Sequence, residues 1–269
     1  MLVDKSRCVG CGNCVAICPT GVISIGADRR AEIEQDECVE CGVCERTLRK
    51  EGLNPTAVRL MRKVLTMLHL RYMPPLDVCP TDALIKPDLE WPRILRREFS
   101  DPLAVHAATG VGGRGTEEIK TNDVTGRLQE GDVGFAVELG RPGTGAFFRD
   151  IERMSMALAA VGVTFQQGNP LTLLMKDPAT GKLKDDVLNE KVLSAIIELK
   201  TVLEKIPEVL QAILQVEKEI DTVVSVAIAS KCCPDGSIPH EEWVYRNGFS
   251  LSLNGKTNLG LGRTTNVAG

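Results

Sequence analysis

Cys8, Cys11, Cys14 and Cys18-Pro19, then Cys38, Cys41, Cys44 and the distant Cys79-Pro80, are the residues of this 269-residue chain whose types and spacing can do chemistry. Three thiols separated by two residues each let one tight loop wrap three corners of an iron–sulfur cubane, while the fourth thiolate arrives from elsewhere. The set suits two [4Fe-4S] clusters, and the chemistry it points to is electron transfer. Two zinc sites are the alternative, because paired Cys-x-x-Cys motifs also build tetrahedral thiolate sites. Two triplets plus two Cys-Pro positions are more than zinc uses.

The tail Cys18-Pro-Thr-Gly-Val-Ile-Ser-Ile is echoed by Cys79-Pro-Thr-Asp-Ala-Leu-Ile-Lys, so the cysteine region is an internal repeat. With these motifs, residues 1–88 resemble a bacterial-type ferredoxin domain holding two [4Fe-4S] clusters. The resemblance implies crossed ligands, with Cys8, Cys11, Cys14 and Cys79 on one cluster and Cys38, Cys41, Cys44 and Cys18 on the other. It also implies that neither half folds without iron. One departure stands out: a compact member of the family has its fourth cysteine at position 48, where this chain has Leu48, and the expected ligand comes at Cys79, after an insertion of residues 45–78. Gly10, Gly12 and Gly42 suit backbone that must approach sulfur closely. Val9, Val15, Ile17, Val22, Ile25, Val39 and Val43 would form the apolar coat.

The elements that position these residues are legible in part. Within the insertion, Asn54-Pro55 reads as a helix start, and Val58, Met61, Val64, Leu65, Leu68 and Tyr72 recur with helical period until Pro74-Pro75. Its other face is basic, with Arg59, Arg62, Lys63 and Arg71, and Arg46, Arg49 and Lys50 just before it. This reads as a solvated face or as a docking face for an acidic partner.

Residues 89–131 read as a connector rich in Pro, Gly and charge. Gly110, Gly112 and Gly115 match G-x-G-x-x-G, but the polar stretch that follows is too short for the helix a dinucleotide site requires. A turn-rich loop is the better expectation, and a binding loop is the alternative, with Arg114, Lys120, Asn122, Asp123 and Arg127 as its densely placed polar groups. The run from Gly110 to Gly126 is similar to 6-hydroxynicotinate-reductase-type proteins, which pair a ferredoxin segment with a flavin-associated part. That resemblance transfers no catalytic residue, and it implies reduction of an N-heterocycle with the catalytic partner encoded separately.

Residues 132–269 are expected to form an α+β domain, one sheet covered by helices. Strands are expected over Asp132–Leu139, near Val163, over Thr222–Ala229 and at an edge over Phe249–Leu253; helices over Phe147–Val161, Asp185–Lys205 and Pro207–Ile220. The Gly140-Arg-Pro-Gly-Thr-Gly loop is a strand-to-helix turn or an anion site at a helix N-terminus. Gly255-Lys256-Thr257 fails as a phosphate loop, since the leading glycine position is Ser250. Cys232 and Cys233 are expected to be buried free thiols, with a third metal site or a nucleophile near His240, Glu241 and Glu242 as the alternative. His69 and His106 have no recognisable acid–base partner, and no catalytic residue is assigned.

A net charge of −4 and the absence of a basic stretch interleaved with aromatics argue against nucleic acid. The ten cysteines fall mostly into metal-binding spacing rather than a disulfide scaffold. No signal peptide is recognised at the N-terminus and no apolar run approaches the roughly 18 residues of a membrane span, so a cytoplasmic location is expected. Two functions follow. The first is an electron-transfer subunit serving a partner oxidoreductase in a hetero-oligomer, with flavin in that partner. The second is a portion of a flavin-dependent reductase whose C-terminal domain itself helps bind flavin or substrate.

Overall fold

The computed structural model describes residues 1–113 and 126–252. The chain divides into two compact units, Met1–Ala104 and Val105–Gly269. The boundary lies beyond residue 88, because residues 89–104, read from sequence as connector, pack within the first unit.

The first unit is built from short strands around the cysteine loops. β1 (Leu2–Val3) leads into Cys8. α1 (Asn13–Ala16) carries the chain from Cys14 towards Cys18, and β2 (Ile23–Ile25) leads away from it. β3 (Ala31–Ile33) leads into Cys38 and α2 (Val43–Thr47) follows from Cys44. The insertion leaves along β4 (Arg49–Lys50), forms α3 (Pro55–Met67) and returns on β5 (Val78–Cys79). β6 (Leu84–Ile85) and α4 (Ile94–Ser100) complete the unit.

Strand pairing explains how the halves interlock. β1 is antiparallel to β6, so the strand entering Cys8 lies beside the one leaving Cys79, and β3 is antiparallel to β2, so the strand entering Cys38 lies beside the one leaving Cys18. β4 and β5 are parallel, with Lys50 opposite Cys79. The insertion is therefore a closed excursion, and Cys79 returns beside Leu48, the position it replaces.

α3 begins where its cap dictates: the Asn54 side chain accepts from the N–H groups of Thr56 and Ala57, and Pro55 occupies the first turn. It ends at Met67, earlier than the apolar periodicity through Tyr72 suggests, and His69 then adopts a φ of 57° that a helix cannot continue. In α4, Leu95 and Phe99, one turn apart, are 3% and 2% exposed, which fixes this short helix against the unit.

The second unit holds a four-stranded antiparallel sheet of β7 (Asp132–Leu139), β9 (Thr164–Phe165), β13 (Ala195–Val202) and β14 (Val224–Ser230), in the order β14-β7-β13-β9. Two-residue strands β8 (Ala146–Phe147) and β12 (Lys191–Val192) pair with each other, as do β10 (Met175–Asp177) and β11 (Lys182–Leu183). α5 (Phe148–Ala160) links β7 to β9, α6 (Ile206–Glu217) links β13 to β14, and α7 (Pro239–Arg246) follows β14. The principal elements thus run β-α-β-β-α-β, and β13 inserts between the parallel strands β7 and β9, a split β-α-β arrangement. The α+β class holds.

The helix expected over Asp185–Lys205 is instead a pair of 3-10 turns flanking β12 and β13. Ala195, Ile197, Leu199 and Thr201 alternate inward opposite Leu139, Val137, Phe135 and Val133. Val192, Ile196, Leu199 and Leu203 also recur at the three- and four-residue spacing of a helix, so periodicity alone does not separate the two readings. The edge strand expected over Phe249–Leu253 does not form at residues 249–252, and Leu253 lies outside the described residues; among these, β14 and β9 are the sheet's edges.

Candidate iron–sulfur site

The eight cysteines of the two arrays are free thiols gathered into two groups. Cys8, Cys11, Cys14 and Cys79 line one cavity, together with Leu48, Ala31 and Leu84. Cys18, Cys38, Cys41 and Cys44 line a second, together with Ile23, Ile33 and Val39. Each group takes three thiols from one array and the fourth from the other half of the repeat. The sulfurs surround space rather than a point: among the described residues no three Cys, His, Asp or Glu side chains converge on a single metal ion. A zinc ion needs its sulfurs at about 2.3 Å.

Local geometry explains how the loops approach the cavities. Gly12 and Gly42 stand at the starts of α1 and α2 with φ of 90° and 69°, in the left-handed region where a side chain is strained. A Cβ on Gly10 would meet the carbonyl oxygen of Arg29 at 1.8 Å. Backbone amides already point at sulfur, with the Ala31 N–H donating to Cys8 Sγ and the Ala83 N–H to Cys79 Sγ, both at 3.3 Å.

Burial, and next the thiols of Cys11, Cys8 and Cys79, push the Cys14 thiol up to about 12. Cys44 is pushed up to about 12 by burial and by Cys41, Cys38 and Cys18. Cys14 and Cys44 in such company stay protonated at neutral pH unless a metal cation binds them as thiolates. The donor set fits iron–sulfur clusters: four thiols per cavity, mainly apolar walls and amides aimed at sulfur. Such a cluster, once bound, takes up and releases single electrons.

Three arginines that spacing alone did not single out as site residues surround these loops. Arg59 of α3 donates to the carbonyls of Lys5, Ser6 and Cys8. Arg96 of α4, 4% exposed, donates to those of Gln35, Asp36 and Cys38. Arg93 bonds Glu40 at 2.7 Å; burial works to raise that carboxyl, but the Met1 ammonium and Arg93 outweigh it and hold the group below its usual range. The signal that could have found α4 was the apolar pair Leu95 and Phe99 beneath a run of arginines. Of the basic residues noted on the insertion, Arg49 pairs with Asp77, Lys50 with Glu45 and Asp82, and Arg46 with the buried Asp101.

The family model for the 4Fe-4S binding domain matches residues 1–24. The chain is 42% identical over 45 residues to an uncharacterized ferredoxin of Methanocaldococcus jannaschii, covering 16% of this chain and 73% of that one. The chain belongs to the 4Fe-4S ferredoxins. Its N-terminal cysteine segment is of the 4Fe-4S binding type. The pyruvate synthase subunit PorD of Methanothermobacter marburgensis is 43% identical over 42 residues, which is 16% of this chain and 47% of that subunit, so the chain spans about half of this relative. A ferredoxin-like protein from the vnf region of Azotobacter vinelandii is 46% identical over 41 residues, 15% of this chain and 62% of that protein. No solved structure matches the chain.

The remaining candidates of this ferredoxin resolve into local structure. The N–H groups of Phe148 and Arg149, which open α5 after the glycine loop at Gly140–Gly145, donate to the Glu190 and Leu188 carbonyls, so neither is free for an anion. Cys232 is exposed and Cys233 half-buried, contrary to the expectation of buried thiols. His240 turns to Ser230, with Oγ 2.7 Å from Nδ1, rather than to either thiol, and burial pulls its pKa below the usual value. Buried His106 meets the Gly113 carbonyl, closing a small turn through Val105 and Gly112. Arg114, Gly115, Lys120, Asn122 and Asp123, and Gly255-Lys256-Thr257, lie outside the described residues. Among the described residues, no helix is long and apolar enough to cross a membrane.

Proposed function

We propose that this chain carries two [4Fe-4S] clusters, one on Cys8, Cys11, Cys14 and Cys79 and the other on Cys38, Cys41, Cys44 and Cys18, and passes electrons through them to or from a partner oxidoreductase. The observation that carries the reading is the sorting of eight thiols into two crossed groups, each around its own cavity. The fourth ligand of the first group returns from the insertion beside Leu48, so the insertion adds a surface without removing a ligand.

The partner is a separate protein in a hetero-oligomer, and the insertion offers a face for it. Leu60, Val64, Met67 and Leu68 are 63%, 48%, 75% and 62% exposed on or just after α3. Arg62, Lys63 and Arg71 flank them, and no carboxylate occurs from Gly52 to Leu76. An apolar surface with an acidic rim on an oxidoreductase complements this face. PorD being a subunit of pyruvate synthase supports the same arrangement.

Anaerobic purification with iron and sulfide analysis tests the clusters, and the proteins that co-purify test the partner. The iron and sulfide of two cubanes, and a co-purifying oxidoreductase that is lost in Leu60→Glu/Met67→Glu, are expected. Zinc in place of iron, or the iron of one cluster only, would overturn the first part; a chain that travels alone would overturn the second.

A further inference from the structure

Several arginines reach the cysteine loops, Arg46 donating to the Cys41 carbonyl and Arg93 to that of Gln35, but two others, Arg59 and Arg96, occupy the same place in the two halves of the repeat. A single nitrogen of Arg59, Nη2, meets the carbonyls of Lys5 (3.4 Å), Ser6 and Cys8 (3.1 Å). A single nitrogen of Arg96, Nη1, meets those of Gln35 (3.0 Å), Asp36 (2.8 Å) and Cys38 (2.9 Å). Counted from the first cysteine of each array, both nitrogens contact the carbonyls three residues before, two residues before, and of the cysteine itself.

The reason lies in the turn that enters each array. Cys8 N–H donates to the Asp4 carbonyl and Cys38 N–H to the Glu34 carbonyl, which coils the backbone through one turn and aims the next carbonyls outward together. A turn that does not continue as a helix leaves such carbonyls in need of donors. The planar, permanently charged guanidinium supplies them. Neither arginine belongs to the cysteine repeat: Arg59 is carried by the insertion helix α3, and Arg96 by α4, which follows the last cysteine. Two unrelated additions to the compact ferredoxin pattern deliver the same group to equivalent backbone.

We propose that Arg59 and Arg96 are paired positioning residues, each clamping the entry turn of one array and raising the reduction potential of the cluster that array holds. The inference rests on the two-cluster reading. Reduction adds one negative charge to a cluster, and a cation bonded to the carbonyl of a ligand cysteine stabilises the reduced form. The effect is larger where water is excluded. Arg96 is 4% exposed and Arg59 is half-buried, so the cluster held by Cys38, Cys41 and Cys44 depends more on its arginine.

The test is a redox titration of the anaerobically purified chain, followed by the paramagnetic signals of the reduced clusters. Arg96→Gln is expected to shift one of the two waves to more negative potential, and Arg59→Gln the other by a smaller amount. Arg96→Lys and Arg59→Lys retain the charge and are expected to leave the waves near their original positions while lowering resistance to heat. Waves that stay in place in both glutamine variants, with only stability reduced, would overturn the tuning role, as would both variants shifting the same wave. If Arg96→Gln fails to assemble its clusters, the half-buried Arg59 pair of variants decides the matter on its own cluster. Iron for one cluster only in the unaltered chain would overturn the two-cluster reading itself, and is distinguished from these results by the iron content.

Discussion

In the sheet unit, the side chains that face one another are Val133, Phe135, Val137 and Leu139 from β7, Ile197 and Leu199 from β13, and Phe148, Ile151, Met154 and Leu158 from α5, all at most 1% exposed. In the cysteine unit, the corresponding cluster consists of Met1, Ile23, Ala31, Leu48, Ala83 and Leu84 together with Cys8, Cys14, Cys38 and Cys44. The first set is a self-sufficient apolar core. The second is a thin apolar shell around two groups of thiols, on strands only two or three residues long. The difference teaches where each unit gets its stability: one from removing hydrocarbon from water, the other, on the proposed two-cluster reading, from thiolate–iron bonds that would also close the loops.

Removing iron is the largest perturbation available to this contrast. Chelation is expected to cost the cysteine unit on the order of 10 kcal/mol, the scale of structural metal binding in small domains. Limited proteolysis of the stripped chain should then cut within residues 1–104 while the sheet of the second unit stays protected. Equal protection of both units after chelation would break the contrast.

Cys79→Ser is a narrower blow to the same unit. The proposed ligand sets predict loss of the cluster associated with Cys8, Cys11 and Cys14, with the other retained, read as halved iron content and one surviving paramagnetic signal. Loss of only the cluster associated with Cys38, Cys41 and Cys44 would refute the crossing. In the sheet unit, Phe135→Ala should cost about 3–5 kcal/mol through the cavity it leaves. Chemical denaturation followed by far-ultraviolet circular dichroism would read that loss, with the iron signals expected to be unchanged.

The smallest expected effect is on pH dependence. Burial depresses the pKa of His240 below 6.5, so the unfolded chain binds its proton more readily than the folded one. Its contribution to stability is therefore full above pH 6.5 and declines as pH falls through that value towards the lowered folded pKa. His240→Gln should flatten this part of the stability profile; an unaltered profile would show that the Ser230–His240 contact does not titrate with folding.

Some of this was legible residue by residue. Asn54-Pro55 announced the start of α3 through a cap and a ring that act within one turn. β7, α5, α6 and β14 carried periodicities strong enough to mark them. Ala195–Val202 misled because Val192, Ile196, Leu199 and Leu203 carry helical spacing as well, and only the strand's register with β7 distinguishes it from a helix. Residues 89–104 were obscured by Pro and charge: two of those charges, Arg93 and Arg96, are turned inward to bond the second cysteine loop, and charge in a sequence does not reveal which way it points.

The sequence by itself determined the chemistry, because the type and spacing of cysteines within an array are matters of covalent reach: thiols two residues apart on a turning chain can hold three corners of one cluster. Only the tertiary structure gathered Cys79 with Cys8, Cys11 and Cys14 and Cys18 with Cys38, Cys41 and Cys44, closed the insertion on itself beside Leu48, and brought Arg59 and Arg96 to equivalent carbonyls. Those are contacts between residues far apart in the chain, and they follow from strand pairing and burial rather than from any local pattern.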